Sequence, residues 1–160
     1  RRLVTLAPER PEFLVQMASL MIELGEHEKA EKALDQLFRL HPGHVEGHRI
    51  LGDLYAGRGD YRSAIEEYRR TLMINENNTR VFSGLAKVYK ALGNFEEEQQ
   101  ALKRAVDLGC ENPELLLRLG QLERKLRMPG SLDRFRRITE LVPDSNCARE
   151  AEYFIRHQAA

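Results

Sequence analysis

Hydrophobic residues recur three and four positions apart along most of the chain, in segments separated by short polar turns. In the stretch 45–76, VEGHRILGDLYAGRGDYRSAIEEYRRTLMINE, this spacing holds on both sides of Gly59. Such spacing is typical of amphipathic helices, and a glycine between two of them indicates a tight turn. The stretch therefore predicts a helical hairpin.

The same pattern returns every 34 residues. One register position holds a large apolar residue followed by a small one, at Met17-Ala18, Leu51-Gly52, Leu85-Ala86 and Leu119-Gly120, and the turn position holds Gly25, Gly59 and Gly93. Repetition at a fixed period is the sequence signature of stacked repeats. Within residues 9–142 we predict four hairpins, 11–42, 45–76, 79–110 and 113–142, followed by a capping helix within residues 143–160.

The second hairpin resembles the tetratricopeptide repeat (TPR) family. The shared positions are Leu51, Gly52, Tyr55, Ala64 and Tyr68, whereas His48 replaces the family's tryptophan and Glu76 its proline. The fourth hairpin departs most, because Arg127 stands at the position of the turn glycine. The resemblance implies an all-α, right-handed superhelical solenoid of antiparallel helix pairs.

The first residues of the chain fit the same register. Leu3, Val4 and Pro8 stand one period before Leu37, Phe38 and Pro42. We expect residues 1–8 to form the tail of an upstream repeat's second helix. The alternative is a short ordered tail that folds back over the first hairpin.

Glu98 occupies the register position of Ala30 and Ala64, where two helices are expected to approach closely. A carboxylate is rarely fully buried, and burial without a partner is costly. We therefore expect a small rotation that exposes Glu98.

Composition and motifs exclude several classes of function. The chain has 25 Lys and Arg against 25 Asp and Glu, and this balance argues against non-specific nucleic-acid binding. No apolar run approaches the ~20 residues of a membrane span, and no compartment is indicated. Cys110 and Cys147 lack metal-binding or disulfide-framework spacing. Motifs of the common hydrolases and nucleotide-binding enzymes are absent, so no enzyme activity, small-molecule substrate or cofactor is predicted.

Three histidines, at positions 41, 44 and 48, lie close together in the sequence. His44 and His48 have helical spacing, but no further ligands complete the set of about four that a stable zinc site requires. We expect no metal site, and expect His48 to pack between helices.

Function in the TPR family resides on exposed side chains of the first helices, which line a concave groove for partner peptides or helices. The resemblance implies groove positions at Val15, Ser19, Ile22, Arg49, Asp53, Arg80, Ser83, Lys87, Lys90, Leu117, Gln121 and Arg124. Arg80, Lys87 and Lys90 fall on one helix face and could hold carboxylates. We therefore predict a protein–protein interaction scaffold that binds a partner peptide or helix in this groove, with an acidic segment as one candidate ligand. The alternative for these basic residues is an ordinary solvated helix face. The carboxylate clamp of chaperone-binding members is not predicted, since only Arg80 fits it.

The alternative is self-association into a homo-oligomer. Residues 9–35 hold seven acidic and three basic residues, whereas residues 114–137 hold three acidic and seven basic ones. Opposite charges near the two ends favour contact between copies, together with apolar surface at the N-terminal edge.

Overall fold

The computed structural model describes residues 10–157, and all of its regular secondary structure is helical. Its helices are Pro11–Glu23 (α1), His27–Leu40 (α2), Val45–Gly57 (α3), Tyr61–Ile74 (α4), Thr79–Leu92 (α5), Phe95–Asp107 (α6), Pro113–Lys125 (α7), Ser131–Leu141 (α8) and Asn146–Arg156 (α9). The prediction of an all-α chain is confirmed. Residues 1–8, interpreted above as an upstream tail, lie outside the described residues, as do residues 9 and 158–160.

The chain divides into two compact units, Arg1–Gly84 and Leu85–Ala160. In the first unit α1 packs on α2 and α3 on α4, and α3 also contacts both helices of the preceding hairpin. In the second unit α7 packs on α8, α8 on α9, and α6 contacts α7. The hairpins α1–α2, α3–α4 and α7–α8 therefore pack partly within themselves and partly against a neighbouring helix of the same unit, as repeat proteins do.

Small residues let the helices of the first unit approach closely. Ala18, Ala30 and Ala64 are fully buried, as the register predicts for positions between helices. Tyr68 lies against Gly52 and Gly84, where an added Cβ atom would stand 2.6 Å from its ring or hydroxyl atoms. Both glycines are therefore required by the tyrosine ring that they accommodate.

The second unit repeats this arrangement with a different ring. A Cβ atom added at Gly120 would stand 2.6 Å from Cε1 of Phe135, which is fully buried. Ala148 and Ala151 of α9 are also fully buried in this core, and Ile155 packs against it. The Ser145 hydroxyl accepts a hydrogen bond from the Ala148 amide at 3.0 Å, which caps the N-terminus of α9.

The hairpin turns share one backbone form. Gly59 has a φ of +80°, and the next amide, of Asp60, donates to the Tyr55 carbonyl at 2.9 Å. Arg127 takes the same role with a φ of +54°, and the Met128 amide donates to the Glu123 carbonyl at 2.7 Å. These bonds are the helix-ending pattern that favours glycine. The fourth turn therefore keeps the geometry of the others without the residue best suited to it.

Candidate partner-binding surface

The side chains at the predicted groove positions of α1 are partly buried. Val15 and Ile22 are partly buried and contact the first unit's core, and Ser19 is half-buried beside them. None of these three side chains carries a charge, and two of them are apolar.

Arg49 of α3 is held on two sides by carboxylates of its own helix. Its guanidinium donates to Glu46 Oε1 at 2.8 and 2.9 Å and also to Asp53. Burial alone would lower the pKa of Arg49, but the hydrogen bond to Glu46 and the charge of Asp53 raise it. Arg49 is 9% exposed, so its charge is neutralised within the protein.

Asp53 has a second partner in the neighbouring helix. The Tyr68 hydroxyl donates to Asp53 Oδ1 at 2.7 Å. Burial, followed by the charge and hydrogen bond of Asp53, raises the pKa of Tyr68 far above its ordinary value. Asp53 therefore orients Tyr68 and Arg49 together, and it has little capacity left for a ligand.

The candidate residues of α5 form fewer internal polar contacts toward the C-terminal end of the helix. The Arg80 guanidinium lies 3.4 Å from Glu46 Oε1 with its side chain 76% exposed, and Ser83 donates to the Thr79 carbonyl of its own helix. Lys87 and Lys90 are both exposed, and neither side chain forms an ion pair or hydrogen bond with any residue in the range 10–157. These two lysines present the uncompensated positive charge of this helix.

The candidate positions of α7 are covered by α9. Leu117 is 9% exposed in a cluster with Ala148 and Ala151, and Gln121 Nε2 donates to Glu150 Oε1 at 2.7 Å. Arg124 donates to the His157 carbonyl at 3.2 Å and lies over the Phe154 ring, 5.2 Å from its centroid. Leu117 is therefore buried, whereas Gln121 and Arg124 remain partly exposed, and a partner that binds them would compete with their contacts to Glu150, Phe154 and His157.

The expectation that Glu98 is exposed to solvent was wrong. It is 1% exposed, and its two oxygens accept from Nε and Nη2 of Arg118 at 2.6 and 2.7 Å. A bidentate guanidinium offsets the cost of burying the carboxylate, so no rotation toward solvent occurs. The available signal was Arg118 itself, which stands in the next first helix at the position that Gly84 holds one period earlier.

A second buried carboxylate, Glu123, was not singled out from the sequence. It is 2% exposed at the register position of Tyr55 and Tyr89, and Arg134 Nε lies 3.8 Å from its Oε1. Burial raises the pKa of Glu123, although the charges of Arg134 and Lys103 oppose the shift. Glu123 Oε2 and Arg134 Nε are buried without a hydrogen-bond partner in the described structure, so this pair is incompletely satisfied.

The histidines have structural roles. His48 packs against Phe38 with ring centroids 4.8 Å apart, as expected from the register, and its Nδ1 lies 2.7 Å from Glu67 Oε2. His44 Nδ1 accepts from the Gly47 amide at 3.1 Å and so caps α3. Across residues 10–157 no three or more histidine, cysteine or carboxylate side chains form a metal-binding group, and no helix there is long and apolar enough to cross a membrane.

Comparison with known proteins agrees with this arrangement of helices. Two tetratricopeptide repeat profiles match residues 15–78 and 79–108, together more than half of the chain. The chain belongs to the tetratricopeptide repeat family. Repeats of this family serve in general as protein–protein interaction modules, and no catalytic domain is evident in this TPR chain.

Individual relatives support the same assignment. Human tetratricopeptide repeat protein 13 is 32% identical over 110 residues, which is 66% of this chain but only 13% of that protein. A thermophilic TPR protein of Thermus thermophilus superposes with a TM-score of 0.71 at 22% identity, covering 92% of this chain and 83% of the other. YrrB, described as a TPR protein with an unusual peptide-binding site, also gives 0.71, at 20% identity and with coverage of 94% and 80%. At these identities the structural likeness shows the fold alone.

Proposed function

We propose that this TPR domain binds an acidic segment of a partner protein, and that Lys87 and Lys90 are its main contact residues. The observation that carries the proposal is the absence of any ion pair on these two exposed lysines among residues 10–157. Such charges are available to a ligand without first breaking an internal contact. The wider set of groove residues remains a prediction.

The arginines of the first unit are less available. Arg49 is buried between Glu46 and Asp53, and Arg80 shares the Glu46 carboxylate. A ligand carboxylate approaching Arg49 would meet the negative charges that already neutralise it. Selectivity for an acidic partner therefore depends more on α5 than on α3.

Lys87 and Lys90 lie three residues apart, so they project from neighbouring turns of one helix face. An extended peptide with acidic side chains could contact both ammonium groups at once. Each exposed contact is weak, about 0.2–1 kcal/mol, and is screened by salt. We therefore expect moderate affinity that falls as ionic strength rises.

The test is a fluorescence anisotropy titration with labelled acidic, neutral and basic peptides of equal length. Wild type should prefer the acidic peptide, and Lys87→Glu/Lys90→Glu should lose about tenfold or more in affinity, or ~1.4 kcal/mol. The matched control is Lys32→Glu/Arg39→Glu, which makes the same change of charge at exposed positions of α2. Equal loss in the control, or no preference in wild type, would refute the proposal.

Self-association is the second candidate function, and one observation favours it. Phe13, Met17, Leu20 and Leu24 are exposed apolar residues of α1 and its C-terminal cap. Sedimentation velocity at low and high salt would detect an oligomer held by opposite charges. A monomer at low salt and high concentration would exclude it.

A further inference from the structure

Phe13, Met17, Leu20 and Leu24, here called the α1 seam, lie four, three and four residues apart and so share one face. Their exposed fractions are 38%, 36%, 50% and 63%. The opposite face of α1 is buried, since Leu14 and Ala18 belong to the first unit's core. Four large apolar side chains in a row on a short helix form a surface that favours a covering element.

The internal repeat shows what covers this face in later first helices. The positions equivalent to Phe13, Met17 and Leu20 in α3 are Gly47, Leu51 and Leu54. Leu54 is fully buried, and a Cβ atom at Gly47 would stand 2.7 Å from Cδ2 of Leu37 and 3.1 Å from Cε1 of Phe38. The face of α3 is therefore covered by the Leu37-Phe38 pair of the preceding second helix.

The other first helices bury the same positions. In α5 these are Val81, Leu85 and Val88, at most 7% exposed, and in α7 Leu119 and Leu122 are at most 1% exposed. In the second unit α7 contacts the preceding second helix, α6. At the positions of Phe13, Met17 and Leu20 the later first helices have no exposed residue, although Leu51 and Leu115 are only partly buried. The fourth position is not peculiar to α1, because Leu92, the equivalent of Leu24, is 46% exposed.

We propose that Leu3 and Val4 of this chain cover the α1 seam in the way that Leu37 and Phe38 cover α3. Residues 1–9 lie outside the described residues, and the proposed pairing follows from their position in the 34-residue register. Leu3 and Val4 stand 34 residues before the covering pair, and the seam stands 34 residues before the covered positions. The proposal is independent of binding at Lys87 and Lys90, and it competes with self-association, since both would use the α1 seam.

Size and charge both favour this occupant. Where α3 pairs a large residue, Phe38, with Gly47, the earlier register pairs Phe13 with Val4, which is smaller than Phe38 and so offsets part of the volume that Phe13 adds. The charged residues of segment 1–8 are Arg1 and Arg2, whereas α1 carries Glu12 and Glu23. A second copy of α1 would instead bring like charges together.

The first test compares the full chain with its Leu3→Asp/Val4→Asp variant by amide hydrogen exchange. Exchange in α1 should accelerate about tenfold or more in this variant, because the helix loses its cover. The matched control is Thr5→Asp/Ala7→Asp, which adds the same charge at positions equivalent to the exposed Arg39 and His41. Equal exchange in both variants would overturn the proposal.

The second test is covalent and does not depend on stability. In a Cys110→Ser/Cys147→Ser background, Leu3→Cys/Phe13→Cys should form an intramolecular disulfide on mild oxidation, and Thr5→Cys/Phe13→Cys should form markedly less. Disulfide formation requires Cα atoms within about 7 Å. Equal yields in the two pairs, or disulfide-linked dimers as the main product, would overturn the proposal, the latter by making a second copy the occupant.

Discussion

The two units of this chain use one packing scheme but place their polar groups differently. Each sets an aromatic ring on a glycine of the first helix, with Tyr68 on Gly52 and Phe135 on Gly120. The first unit's ring ends in a hydroxyl that joins the Asp53 and Arg49 network near the surface. The second unit buries Glu98 and Glu123 instead. The repeat therefore tolerates charge between its helices where a cation is within reach, and the quality of pairing differs from site to site.

The largest expected effect comes from removing the cation of the well-paired site. Arg118→Ala leaves Glu98 buried without its guanidinium and should reduce the free energy of unfolding by about 3 kcal/mol. Urea denaturation monitored by circular dichroism measures it.

The control is the double variant Glu98→Ala/Arg118→Ala, which restores the alanine found at positions 30 and 64. It should return to within about 1 kcal/mol of wild type, since no unpaired charge remains. A single variant as stable as the double one would mean that Glu98 reaches solvent.

An intermediate effect is expected at the poorly paired site. Burial raises the pKa of Glu123, so the folded state binds its proton more tightly than the unfolded state does. The contribution of Glu123 to stability is then most favourable below its ordinary pKa and declines as pH rises through the raised value. Glu123→Gln should therefore stabilise the protein near neutral pH, by about 1 kcal/mol.

The pH series supplies the control. The stability difference between Glu123→Gln and wild type should shrink as pH falls toward about 4, the ordinary range of a glutamate, measured by thermal melts of both proteins in the same buffers. A difference that stays constant with pH would contradict the assigned protonation.

An effect of similar size is expected at the hairpin turns. Arg127 adopts the left-handed conformation that Gly59 adopts in the first unit. Because a side chain costs about 1 kcal/mol in that conformation, Arg127→Gly should stabilise the chain by about that amount.

Gly59→Ala provides the reverse experiment. No atom lies within 4 Å of its added Cβ, so backbone strain alone should destabilise the first unit by about 1 kcal/mol. Opposite signs for the two variants in thermal melts would support a shared turn geometry. Equal signs would argue against it.

The 34-residue register was sufficient to predict the helix pairs and the close approach of helices at Ala64. The ion pairs of Arg49 could also have been predicted from the sequence, because Glu46 and Asp53 stand three and four residues away on the same helix. Two contacts could not be predicted from the sequence and were seen only in the structure. The pairing of Glu98 with Arg118 depends on how two helices meet, and the cover over Arg124 depends on where α9 turns back, neither of which periodicity specifies.

The buried Tyr68 hydroxyl also gives the molecule an optical reporter. The chain has no tryptophan and five tyrosines, so its near-ultraviolet absorbance is dominated by phenol groups. Since burial and Asp53 oppose loss of the Tyr68 proton, this phenol should become phenolate in alkali only when the first unit opens. After a jump to alkaline pH, the absorbance change of Tyr68 would then measure the rate at which the first unit opens, without any added label.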